Sequence, residues 1–165
     1  MVLDKNINQS KISRLMQDYP KGLVLLSSWL VSQGYSYELL LQYRRSGWLR
    51  SIGKGAMLKS DDPLILSGAL AALQSQANIG IHLGGRSALQ LHGAAHYLQL
   101  TLSEASLFAL GGLKLPLWFT ANQWDITPVI FRNTLFEDDG IGLADYQDAG
   151  IEMQISTPAR AMLEC

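Results

Sequence analysis

Short stretches with apolar residues three and four apart alternate along this chain with brief apolar runs broken by glycine or proline, and the order of these pieces predicts the elements. Ile12, Leu15 and Met16 follow Ser10 at helical spacing. Tyr19-Pro20-Lys21-Gly22 then stops that first helix, with a residue lacking an amide proton and another free to turn. Leu23 to Leu26 reads as a small strand or buried entry. Ser27 is the expected cap of a brief second helix through Trp29, Leu30 and Val31, which Gly34 ends. Ser36 caps a third helix, Tyr37 to Ser46, closed by Gly47. Within it Leu39, Leu40 and Tyr43 are expected to face inward, while Tyr37, Leu41, Arg44 and Arg45 project on other faces. Trp48 to Ile52 alternates apolar with polar, Gly53-Lys54-Gly55 turns, and Ala56 to Lys59 returns, the pattern of a β-hairpin. Helices joined by a glycine-containing turn and followed by a hairpin make a winged helix-turn-helix domain of residues 1–60.

Beyond it, residues 61–165 read as a mixed α and β module, so the fold class is α+β with two domains. Asp61-Asp62-Pro63 marks the boundary. Leu64 to Ala77 predicts a buried helix, Ile79 to Leu83 a strand, and Arg86 to Leu91 a helix opening after Gly84-Gly85. Leu113 to Thr120 and Asp125 to Arg132 read as strands, each with a proline that places it at an edge or an end. Thr157-Pro158 starts a last helix, the cap followed by a residue preset for the first helical position. The chain stops about two turns later. A longer native protein, truncated here in its second domain, is the expectation.

Charge separates the two modules. Nine cations stand against three carboxylates in residues 1–60, a balance of +6, whereas the remaining 105 residues carry four cations and eleven carboxylates, a balance of −7. One module facing a polyanion and another that does not would produce this asymmetry, which the overall charge of −1 hides. On the winged-helix plan Tyr37, Gln42, Arg44 and Arg45 are the candidates for base contacts from the third helix. Ser36 and Lys54 are the expected phosphate contacts, with Arg50 and Lys59 supporting along the wing. A winged helix acting as a protein adaptor, with the acidic module binding a protein or small effector, is the competing reading. The partner expected of the first reading is double-stranded DNA carrying inverted repeats, occupied by a monomer or a weak dimer.

Composition removes other classes. The polar opening is unlike a signal peptide, and no window approaches the ~18 uninterrupted apolar residues of a membrane span, so a cytoplasmic protein is expected. The single cysteine, Cys165, allows neither an internal disulfide nor a multi-cysteine zinc site. Gly84-Gly85-Arg86-Ser87 sits at a strand-to-helix junction where free amides can cradle a phosphate, but close packing of helix on strand explains the glycines better. His82, His92 and His96 are read as structural or partly exposed, with His96 bonded to a carbonyl, in preference to a three-histidine metal site. Glu137-Asp138-Asp139 is read as a solvated turn. No catalytic constellation is apparent, and neither metal nor cofactor is expected.

The ordered set Pro20-Lys21-Gly22-Leu23-Val24-Leu25-Leu26-Ser27-Ser28-Trp29-Leu30, Tyr43-Arg44-Arg45-Ser46-Gly47-Trp48-Leu49 and Ile52-Gly53-Lys54-Gly55-Ala56 resembles the N-terminal winged helix of AbiEi-type antitoxins. The resemblance continues through Gly68-Ala69-Leu70, His82-Leu83-Gly84-Gly85-Arg86-Ser87-Ala88-Leu89 and His96-Tyr97-Leu98 to Ser156-Thr157-Pro158-Ala159-Arg160-Ala161. It implies a transcriptional regulator of a type IV toxin-antitoxin system whose winged helix binds inverted repeats in its own promoter. It also implies a second domain that supports repression and counteracts a nucleotidyltransferase-type toxin without a stable complex. Members of the family usually extend past residue 165.

Overall fold

The computed structural model describes residues 11–93, 103–133 and 140–165. The helical turns at 11–18 (α1) lead to β1 (Leu25–Leu26), α2 (Ser27–Ser32), α3 (Tyr37–Arg45) and the hairpin β2 (Leu49–Gly53) and β3 (Ala56–Lys59). The three strands form one sheet in the order β1-β3-β2, with β1 and β2 both antiparallel to β3. This is the winged-helix arrangement expected from the spacing. Ser36 caps α3 as foreseen, accepting from the Leu39 amide at 3.1 Å. The cap at α2 differs: Leu26 holds that position and makes no side-chain bond, because the strand runs directly into the helix and Ser27 is already its first residue.

The wing sheet is buried on both faces, which explains why Ala56-Met57-Leu58 is an uninterrupted apolar run. Leu25 and its partner Met57 point toward Leu15, Leu30, Leu39, Leu40, Tyr43 and Leu49, the core of the helical side. Leu26, Ala56 and Leu58 point the other way and join α4 (Leu66–Ser75) in a core continuous with the second module. At Gly68 on α4 an added methyl group would sit 1.8 Å from the Gly22 carbonyl oxygen, so only glycine permits this approach. Gln76 completes the seam by accepting from the Leu26 amide at 2.8 Å and donating to the Val24 carbonyl at 2.8 Å. The hydrophobic interior therefore runs across residue 60, and Asp62 spans the turn there with its carboxylate on the Gly22 amide at 2.9 Å.

The second module is a five-stranded sheet in the order β6-β5-β4-β8-β7, built from β4 (Ile81–Leu83), β5 (Glu104–Leu110), β6 (Thr127–Asn133), β7 (Leu143–Asp148) and β8 (Ile151–Ser156). Helices α4, α5 (Gly85–Leu91) and α7 (Pro158–Glu164) accompany it. Strand β6 lies at an edge, where Pro128 removes no ladder bond that a central strand would need. The strand expected over Leu113 to Thr120 is overturned: Leu117–Thr120 forms a short helix, α6. Pro116 sits at its N-cap and feeds it with extended backbone, and Trp118 and Phe119 turn together into an aromatic cluster with Trp124. Among the described residues no helix is long and apolar enough to cross a membrane.

Candidate nucleic-acid interface

Helix α3 presents two unlike faces. Leu39, Leu40 and Tyr43 are buried on one, and successive residues on a helix turn by about 100°, which sets Tyr37, Leu41 and Arg45 in a stripe opposite them. Gln42 and Arg44 flank that stripe, and both are exposed. No ion pair among the described residues engages Arg44, Arg45 or Lys54. Three uncompensated cations on a helix and a hairpin tip are available to an anionic partner. Tyr37 and Trp48, 61% and 52% exposed, add large aromatic surface at the two ends of α3. Trp48 and Leu41 belong with the candidate contacts, since an apolar group beside a thymine methyl is a normal base contact. For Leu41 the signal was its position on the outward face of α3, whereas Trp48 lies beyond the helix and its size and apolarity alone assign it to a core.

Lys54 occupies the hairpin tip, exposed between Gly53 and Gly55, and Ser36 is exposed with its hydroxyl proton still free to donate. The other two wing cations are placed differently from the expectation. Lys59 turns inward, its ammonium donating to the Tyr19 carbonyl at 2.7 Å and the Met16 carbonyl at 3.3 Å, with the Asp62 carboxylate at 3.9 Å. It closes the C-terminal end of α1, where a cation satisfies open carbonyls. Arg50 is part-buried and donates to the Asp62 carbonyl at 2.7 Å. Both side chains are engaged by the fold, which leaves Lys54 the exposed cation of the hairpin and makes Arg50 and Lys59 weaker candidates for phosphate than it is.

The second candidate for an anion, Gly84 to Ser87, is already filled. The Glu164 carboxylate from α7 accepts from the Gly85 amide at 3.0 Å and from the Ser156 hydroxyl at 2.7 Å through Oε2. Its Oε1 accepts from Arg160 Nε at 2.9 Å and faces His82 Nε2 at 2.9 Å, and the Glu164 side chain has no exposed surface. Burial alone pushes this carboxyl's pKa up; the bonds from His82, Ser156, the Gly85 amide and Arg160 outweigh it and hold the value at about 2. An ionised carboxylate only accepts, so the His82 ring donates from Nε2. A methyl group at Gly84 would meet Glu164 Oε2 at 2.2 Å and the Phe108 ring at 2.7 Å, so close packing requires that glycine, while Gly85 has the left-handed backbone, φ 51°, that favours glycine.

His82 is thus buried on a carboxylate, a correction to the expected partial exposure, while His92 is exposed with its Nε2 at 2.8 Å from the Ser156 carbonyl. His96 and Glu137-Asp138-Asp139 lie outside the described residues. Among those described, no group of three or more His, Cys, Asp or Glu residues is placed to hold a metal ion.

A three-helix, three-strand winged domain with an open cationic helix, fused to an α+β module, has the build of a transcriptional regulator. The chain belongs to the AbiEi antitoxin family: residues 8–100 match its N-terminal domain, described as "Transcriptional regulator, AbiEi antitoxin N-terminal domain". Residues 103–165 match "Transcriptional regulator, AbiEi antitoxin, Type IV TA system". These are regulatory and antitoxin domains. Among solved structures, the RV2827C protein from Mycobacterium tuberculosis aligns at 20% identity with a TM-score of 0.47, over 74% of this chain and 44% of that one. The chain thus spans less than half the length of that protein. No curated protein matches the sequence.

Proposed function

We propose that this chain represses its own operon by docking α3 in the major groove of operator DNA with the Lys54 wing on the flanking backbone. The single observation that carries this reading is the set of unpaired cations, Arg44, Arg45 and Lys54, on exposed surfaces of α3 and the hairpin that follows it. Arg44 and Arg45 suit guanine edges, Gln42 suits adenine, and Ser36 and Lys54 suit phosphate oxygens. Membership of the family supports the rest of the proposal. On this reading the protein acts in the cytoplasm as the antitoxin of a type IV system, against a nucleotidyltransferase-type toxin without a stable complex. Inverted repeats would be filled by two copies, as cooperating monomers or a weak dimer.

The adaptor reading has one observation in its favour, the exposed apolar trio Tyr37, Leu41 and Trp48, which suits a protein groove as well as a base edge. A mobility-shift titration of the DNA upstream of the coding sequence against unrelated duplex at physiological salt separates the two. Repression predicts that the upstream DNA binds at least ~10³-fold tighter. Equal, weak binding to both duplexes contradicts repression and favours the adaptor.

A further inference from the structure

The wing is held from behind by the second module. Residues Ser51 and Gly53 pair with adjacent residues of β3, Met57 and Ala56, so Ile52 is the extra residue of a β-bulge on the edge strand β2. A bulged edge residue loses its ladder partner, and its carbonyl requires another donor. Asn122 supplies it: Nδ2 donates to the Ile52 carbonyl at 2.6 Å and to the Trp118 carbonyl at 2.6 Å, bridging hairpin and α6. One residue further along, a methyl group at Gly53 would lie 2.7 Å from Trp118 Cβ and 3.0 Å from its Cα, so the hairpin backbone rests directly on α6. Trp118 is itself 6% exposed and wedged edge-on against Phe119 and Trp124. A two-stranded tip has little stability of its own. Here it sits on a rigid aromatic block one residue before Lys54.

We propose that Asn122 and Trp118 form a clamp through which the second module fixes the position of the wing, making them positioning residues for DNA binding. This rests on the DNA-binding reading above. Neither residue touches DNA; each acts through Lys54. The clamp gives the acidic module a physical part in repression while it contributes no phosphate contact.

The test is Asn122→Ala in the full chain, read in two independent ways. Hydrogen exchange on the free protein is expected to quicken about tenfold at the amides of the paired tip residues Gly53 and Ala56 while those of α3 keep their protection. Affinity for the upstream DNA is expected to fall about fivefold, but not to fall further when the change is made in a Lys54→Ala background, since a residue acting through Lys54 has nothing left to position. Unchanged exchange overturns the clamp whatever the DNA does. Faster exchange with the same loss of affinity in both backgrounds overturns its link to Lys54. Faster exchange in a protein whose wild type does not bind the upstream DNA sinks the DNA reading, and the role assigned to the clamp with it.

Discussion

Two places in this molecule are built to meet a negative charge, and they differ in where that charge comes from. At Gly84 to Ser87 the free helix amide, a histidine, a serine and an arginine converge on the molecule's own Glu164, which is sealed from solvent. On α3 and the wing, Arg44, Arg45 and Lys54 stand in solvent with no carboxylate to pair. The first arrangement stabilises the fold and leaves nothing to recruit. The second contributes little to folding, since exposed charges are worth little there, and is available for a partner. In the structure, what separates the glycine-rich junction from the basic helix is whether an anion from elsewhere in the chain already sits in the site.

Substitutions at the two places are accordingly expected to act on different observables. The largest effect is that of Glu164→Ala, which removes the carboxylate facing the buried Arg160 and His82 and is expected to cost about 3–5 kcal/mol in denaturant unfolding. At temperatures where the variant remains folded, its affinity for the upstream DNA is expected to match that of the wild type. Acid provides the reversible version of the same experiment. The folded carboxyl titrates at about 2, below its ordinary 4.5. Its stabilisation, of order 3 kcal/mol, is therefore complete above pH 4.5 and lost as pH falls from 4.5 toward 2. Unfolding free energies measured across that window should drop in the wild type and stay flatter in Glu164→Gln. Lys59→Met comes next: it removes the donor that closes α1 and is expected to cost about 1–2 kcal/mol of stability while leaving the salt dependence of DNA binding unchanged. Lys54→Ala reverses that signature, with no measurable loss of stability and a slope of log affinity against log salt shallower by about 0.9. If Lys59→Met were the variant that flattened the slope, the assignment of the two lysines would be the wrong way round.

How much of this the amino-acid order revealed depended on how local the signal was. Caps, glycine stops and helical spacing lie within a few residues of the elements they specify, so α3, the hairpin and the Thr157-Pro158 start of α7 were all readable. Strands β5, β7 and β8 went unread. Ile151, Met153 and Ile155 alternate cleanly with polar residues, yet the pairing of β8 with β4 joins residues as distant as Leu83 and Ile155. Leu117-Trp118-Phe119-Thr120 has the composition of a strand and becomes helical because its tryptophan and phenylalanine are needed in one cluster beside Trp124. The same limit hid the true roles of Lys59 and Arg50: their partners, Tyr19 and Asp62, come close only after the sheet has formed. Glu164 carried one local hint, Arg160 one helical turn earlier, but nothing near it in sequence announces His82 or Gly85.

The open face of α3 is the centre of the account, and the most direct measurement is the affinity of an Arg44→Ala, Arg45→Ala double variant for the upstream DNA and for unrelated duplex. If the two arginines reach base edges as proposed, affinity falls about 10²-fold or more on the upstream DNA and less on unrelated DNA, so that discrimination narrows. Wild-type affinity for the upstream DNA in that variant, with its fold intact, would contradict the assignment of α3 as the reading helix.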